Sequence, residues 1–183
     1  MLRCEKLVKI YKGKTEVRAI DDISFSINDA EIVGLLGPNG AGKTTTIKSL
    51  CCLINPSSGK IWIDGIDITK NPYFAYNKIA SVLEGNRNIY WRLTVKENLI
   101  FFAGLMGYSY KYRKDQINEL INIFKLKEKT NTEARFLSRG MQQKLAIACA
   151  LIKDTEIILL DEPTLGLDVE ATHEVQNLLK NEM

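Results

Sequence analysis

The sequence predicts an α/β fold, a phosphate-loop core with an N-terminal antiparallel β element and an inserted helical subdomain. Three observations carry this expectation. Gly37 to Thr44 reads GPNGAGKT, a complete G-x-x-x-x-G-K-[ST] loop set between an apolar run and a helical pattern. Glu156 to Pro163 reads EIILLDEP, an apolar run that ends in two carboxylates, Asp161 and Glu162. Between these two, from Leu93 to about Ile152, apolar residues recur at helical spacing.

Residues 1 to 30 alternate apolar with polar through Leu7, Ile10, Ile20, Ile23, Phe25 and Ile27, with turn signals at Lys12-Gly13-Lys14 and Asn28-Asp29, as an antiparallel β element requires. Ile32-Val33-Gly34-Leu35-Leu36 is short and apolar, so a buried strand is expected to feed the loop. Gly37, Gly40 and Gly42 let the backbone wrap its N–H groups around phosphate at a helix N-terminus, where the helix dipole also favours negative charge. Lys43 can reach the β- and γ-phosphates and Thr44 can ligate magnesium. The ligand class is therefore a nucleoside triphosphate, on a P-loop NTPase core.

Asn55-Pro56-Ser57-Ser58-Gly59 closes the helix after the loop, Ile61 to Asp64 reads as a strand ending in a turn at Gly65, and a short strand follows near Ala80 to Leu83. The helical region opens on a capping box, Thr94 with Glu97. Ile117, Leu120, Ile121 and Phe124 form one buried stripe, and Met141, Leu145, Cys149 and Ile152 share another helix face with Ser138 as its N-cap. An aspartate at the end of the 156–160 strand can bind magnesium, and the carboxylate beside it can orient or deprotonate water, so Asp161 is assigned to the metal and Glu162 to the base.

With 25 basic and 22 acidic residues, global charge gives no argument for a nucleic-acid groove or an anionic membrane surface. The basic aromatic run Tyr108 to Lys114 is diluted by Asp115 and Glu119 and reads as a solvated loop opening a helix. Cys4, Cys51, Cys52 and Cys149 lack metal spacing, so reduced thiols are expected. The N-terminus lacks the core of a signal peptide and no apolar stretch approaches the ~18 residues needed to cross a bilayer, so a role at a membrane requires a second, spanning subunit.

The phosphate loop, Leu137-Ser138-Arg139-Gly140-Met141 at a helix start, the strand with Asp161-Glu162 and then Leu165-Gly166-Leu167-Asp168 together resemble the ATP-binding cassette (ABC) family, specifically the ATPase subunits of transporters. The resemblance spans nearly the whole chain, 1–183, taken as one nucleotide-binding domain with its helical subdomain at about 93–152. It implies ATP and Mg2+ as ligands, with Gly37, Pro38, Asn39, Gly40, Ala41, Gly42, Lys43, Thr44 and Thr45 forming the Walker A loop. Tyr11 matches the aromatic that stacks on adenine, although strand packing alone would account equally for a tyrosine there. Ser138, Arg139, Gly140 and Met141 match the signature motif that binds the nucleotide of the opposite subunit, and Asp168 matches the loop linking the two sites. The implied working unit is a head-to-tail pair of ATPase domains, identical or different, burying two ATP molecules. Transmembrane permease subunits are the implied partners, nucleic acid is not expected, and the implied location is cytoplasmic, at the inner face of the membrane.

Three departures qualify the match. The family's magnesium-contacting glutamine appears as Glu84, which can still offer oxygen but adds negative charge. The signature carries Arg139 for its first glycine and Met141 for glutamine. With Asn88-Ile89-Tyr90-Trp91-Arg92-Leu93, these features resemble drug-, antibiotic- and polysaccharide-type exporters, with Tyr90 and Trp91 either facing the membrane subunit or packed internally. Val169 to Met183 read as one helix with His173 on its surface, and no strand with the family's γ-phosphate histidine follows. A truncated cassette with weak or absent ATPase activity on its own is the expectation. The competing readings are a soluble ABC ATPase acting on ribosomes or DNA, against which stands the lack of a long charged coiled-coil insertion, and a module that binds ATP without turnover.

Overall fold

The computed structural model describes residues 1–85 and 88–182, which form two compact units, Met1–Ile79 and the residues from Ala80 onward. In the first, β1 (Leu2–Tyr11) lies between β2 (Val17–Ile27) and β3 (Ser58–Ile63), antiparallel to both, and β4 (Ile66–Asp67) pairs beyond β3. The predicted antiparallel element is present, with one irregularity. Burial along β1 falls on Leu2 and Cys4 and then skips to Leu7, and the odd residue is absorbed at Lys6, which takes φ 46° and donates its N–H to Ser24 Oγ at 2.8 Å. This bulge restores the inward face. A Cβ on Gly59 would stand 2.3 Å from the Lys6 carbonyl oxygen, so the bulge requires glycine opposite it.

The expected strand at Ile32 to Leu36 is not formed. These residues join no sheet, and Ile32 and Leu36 are 70% and 93% exposed. An apolar run becomes a strand only where neighbouring strands accept its ladder bonds, and among the described residues no ladder receives this one. Helix α1 (Lys43–Leu50) follows the loop and ends earlier than the breaker at Asn55, because Cys52 turns left-handed at φ 56°. A short α2 (Pro72–Lys78) closes this unit, with Pro72 in its first turn.

In the second unit, β5 (Ile79–Val82) pairs with β6 (Ile157–Leu160). The helices are α3 (Val95–Leu105), α4 (Tyr110–Ile123), α5 (Arg139–Leu151) and α6 (Val169–Glu182), with single 3-10 turns at Lys127–Lys129 and Ala134–Phe136. Met183, which the sequence places on the last helix, lies outside the described residues. The capping box forms as predicted: Glu97 N–H donates to Thr94 Oγ1 at 3.2 Å, and Thr94 N–H donates to Glu97 Oε2 at 2.8 Å. The Thr94 N–H, and after it the Thr94 hydroxyl at 2.8 Å, donate to the carboxylate and hold the Glu97 pKa below its ordinary value. Ile117, Leu120, Ile121 and Phe124 are all buried. Helix α5 is buried more widely than one stripe, since every residue from Lys144 to Ala150 is enclosed, which makes it the central helix of this unit.

Two polar devices hold the helical layer, and neither shows in hydrophobic periodicity. Asn98, 0% exposed, donates to the carbonyls of Tyr90, Leu93 and Thr94 at 3.0, 3.1 and 3.0 Å and accepts the Tyr90 N–H at 2.7 Å. It fixes the chain entering α3. Replacing it by leucine keeps the volume but strips these backbone groups of their partner, so Asn98→Leu should lower stability by about 2–4 kcal/mol in urea unfolding. A loss below about 1 kcal/mol would show that water replaces the amide. The second device is Glu174 on α6, which accepts from the buried Lys144 of α5 and, at 3.0 Å, from Lys125 just after α4. These bonds, the Lys144 one foremost, hold the Glu174 pKa below its ordinary value.

Candidate functional site

The phosphate loop, Gly37 to Thr45, belongs to the first unit. Gly40 and Gly42 adopt φ 83° and 87°, and Gly42 is the N-cap of α1. Thr46 pins that cap, its N–H and its hydroxyl both donating to the Gly42 carbonyl at 2.8 and 2.9 Å. The Lys43 ammonium folds back over the loop and donates to the carbonyls of Gly37 and Pro38 at 2.9 and 3.1 Å, while Ala41 N–H bonds Pro38 O at 3.1 Å. The helix start therefore carries a run of main-chain amides, a lysine poised above them and the Thr44 and Thr45 hydroxyls, a donor set that suits a triphosphate.

Tyr11 ends β1 in the same unit and is 43% exposed. The Lys9 ammonium lies 5.1 Å from its ring centroid and also donates to Asn55 O at 2.7 Å. The ring thus rests against a cation–π contact and keeps part of its surface open to solvent.

The second unit holds the carboxylates. A cleft of about 290 Å³ is lined by Glu84, Asn88, Arg139, Gln143, Asp161 and Glu162 among others. Asp161 is buried at the end of β6 with its N–H on Val82 O at 2.8 Å, so the β5–β6 pairing sets its position. Glu162 is exposed and takes φ 51°, directly before Pro163. A residue preceding proline prefers extended backbone, and left-handed geometry in a non-glycine costs about 1–3 kcal/mol. Such strain persists only where the surroundings impose it, and here it aims a carboxylate at the cleft.

Glu84 reaches the same cleft on a loop that Asn88 staples. Asn88 Nδ2 donates to the carbonyls of Leu83 and Gly85 at 2.6 and 3.0 Å, and its Oδ1 accepts the Leu83 N–H at 3.1 Å. Asn88 is thus a positioning residue for Glu84 that spacing does not reveal. Gln142 plays the same part before α5, donating to Ala134 O and Leu137 O at 3.1 and 3.2 Å.

Ser138 caps α5 as predicted, its hydroxyl accepting the Met141 N–H at 3.3 Å. Arg139 opens that helix beside Gly166, its guanidinium 3.6 Å from where a Gly166 side chain would begin, and Gly140 lies against Ala171 of α6. Asp168 caps α6 by accepting the Ala171 N–H at 2.8 Å. The signature residues and Asp168 therefore form one neighbourhood, the joint between α5 and α6. Tyr90 is 51% exposed while its ring centroid lies 4.4 Å from Phe101, and Trp91 also keeps an exposed face. His173 is exposed, as predicted.

The Asp161 and Glu84 carboxylates, which line one cleft of the second unit, and the Thr44 hydroxyl of the first unit are hard oxygen donors of the kind magnesium takes, and among the described residues no three His, Cys, Asp or Glu side chains form a metal site by themselves. Magnesium usually keeps only one or two protein carboxylates and takes its remaining ligands from phosphate and water. No described helix is long and apolar enough to cross a membrane.

Residues 20–165 match the family model described as ABC transporter. The ABC transporter ATP-binding protein NatA of Bacillus subtilis is 42% identical over 160 residues, which is 87% of this chain and 65% of NatA. The uncharacterized ABC transporter ATP-binding protein YhcH of the same organism is 36% identical over 98% of the chain and 57% of its own length. The chain thus spans less than two thirds of either protein. Among solved structures, the dimeric post-hydrolysis state of the ATP-binding cassette MJ0796 bound to ADP and Pi superposes with a TM-score of 0.86 at 29% identity, covering 98% of this chain and 82% of that one.

Proposed function

Because the chain belongs to the ABC transporter family, we propose that it is the ATP-binding and hydrolysing module of an exporter, working as a pair with a second such module on separate membrane-spanning subunits. The observation that carries this reading is the cleft in which Glu84, Asp161 and Glu162 share one volume with Arg139 of the signature segment.

In the proposed mechanism, the amides of residues 37–45 and the Lys43 ammonium bind the β- and γ-phosphates, and Tyr11 stacks on the adenine. Thr44, Asp161 and Glu84 would hold magnesium, which when bound neutralises phosphate charge. Glu162 orients a water and accepts its proton as the oxygen attacks the γ-phosphorus. The bond to the β,γ-bridging oxygen breaks, leaving ADP and phosphate. Ser138, Arg139, Gly140, Met141 and Asp168 serve the nucleotide of the second module, so ATP supplies part of the interface and product charge opens it. Tyr90 and Trp91 offer exposed aromatic surface for the membrane subunit, which would put the module at the cytoplasmic face.

Equilibrium titration of the purified chain with a fluorescent ATP analogue tests this. Saturable, magnesium-enhanced binding that Lys43→Ala removes is the expected result, together with co-purification of a membrane-spanning protein rather than ribosomes. A wild-type chain indifferent to adenine nucleotides would refute the reading.

A further inference from the structure

The end of β1 is held from two directions within the first unit. Tyr11 pairs with Val17 of β2, and two residues further along that strand lies Ala19, whose carbonyl oxygen would meet a Cβ on Gly42, the N-cap of α1, at 2.0 Å. A strand advances about 3.3 Å per residue and its neighbour runs about 5 Å away, so the Tyr11 backbone and the first amides of α1 stand on the order of 10 Å apart. A nucleoside covers such a span between its base and its phosphates. From the other direction, the turn after α1 is bonded to β1: Ser57 N–H donates to Val8 O at 2.8 Å, the Ser57 hydroxyl accepts the Ile10 N–H at 2.9 Å, and the Lys9 ammonium donates to Asn55 O at 2.7 Å. That same ammonium stands over the Tyr11 ring, 5.1 Å from its centroid, while Tyr11 stays 43% exposed. An anchored cation therefore occupies one face of a ring at the same end of the sheet as the phosphate loop.

We infer that Lys9 is a positioning residue for the nucleobase: it backs the Tyr11 ring, so that the base stacks on the opposite face at the distance from the phosphate loop that the Asn55 and Ser57 bonds fix. This rests on the nucleotide-site reading and deepens it, assigning the base a second residue that never touches it. A cation on one face draws π density from the ring, which lowers its repulsion of an aromatic base arriving on the other face. The tie to Asn55 also holds the ammonium in place, so little side-chain freedom is lost when the base binds.

The test compares MgATP with magnesium tripolyphosphate, which keeps the charge and lacks the base, by calorimetric titration of the full chain. Removing a nearby cation weakens any anion, so the readout is the dissociation constant for MgATP divided by that for tripolyphosphate. Tyr11→Ala should raise this ratio about tenfold, and Lys9→Met, which keeps the stem without the charge, about threefold. In the Tyr11→Ala background Lys9→Met should add less than about 1.5-fold, and Lys9→Arg should stay within about twofold of wild type. A Lys9 that serves only the architecture would weaken both ligands alike, so an unchanged ratio in Lys9→Met overturns the inference even where that variant is less stable. A Lys9→Met effect that persists without the Tyr11 ring, or that arginine fails to restore, overturns it as well. If wild type binds MgATP and only these ratios fail, the nucleotide-site reading stands without Lys9. If wild type binds no MgATP, both are refuted.

Discussion

Gly42→Ala is expected to lose nucleotide binding and a large share of the stability of the first unit together. A Cβ at this position would stand 2.0 Å from the Ala19 carbonyl oxygen on β2, and the residue holds φ 87°. The left-handed backbone and the collision both resist alanine, and the obstacle is main chain that no rotamer change can clear. Adding the two penalties gives about 2–5 kcal/mol, measurable in urea unfolding. To relieve the clash, α1 must shift from β2 and carry with it the amides and Lys43 that the proposed function assigns to the phosphates. Displacement of about 1 Å in a positioned site commonly costs about a hundredfold, so MgATP affinity should fall by that order. Gly40→Ala is the control: it has φ 83° but open space for a Cβ, so it should pay only about 1 kcal/mol. Equal behaviour of the two variants would mean that contact with β2 does not place the loop.

The second large effect is expected at Glu162. Glu162→Gln retains shape and backbone but cannot take a proton, so phosphate release should fall about 10²–10⁴-fold while MgATP affinity stays within about threefold. The nucleotide-bound pair of modules should accumulate, visible by light scattering. Unimpaired phosphate release would remove Glu162 from the proposed role. A further variant separates chemistry from strain. Glu162→Gly accepts φ 51° without penalty, so it should be more stable than wild type by about 1 kcal/mol while losing hydrolysis to the same degree.

Much of this was legible in the sequence because the relevant signals are local. The GPNGAGKT loop, the Thr94–Glu97 box, the Ser138 cap and the Ile117 to Phe124 stripe each specify their own geometry within a few residues, and each is found in the structure. Ile32 to Leu36 failed as a strand because a ladder depends on partners that an apolar run does not name. Helix α2 was hidden for the opposite reason: only the Asn71-Pro72 start marks it, and its single buried residue, Ala75, leaves no period to read. The amide staples at Asn88, Asn98 and Gln142 were invisible because their partners are backbone carbonyls freed by loop geometry. The shared cleft of Glu84, Arg139 and Glu162 likewise required the return path of α5 to be known.

Glu174 gives the joint between α5 and α6 a mechanical character. Its carboxylate is gripped by ammonium groups from α5 and from the end of α4, while Gly140 abuts Ala171 and Arg139 covers Gly166 a few residues away. Fastened at both levels, the start of α5 and the start of α6 share one set of contacts, so a tilt of the Ser138 end of α5 is expected to strain the Gly140–Ala171 approach beside the Asp168 cap.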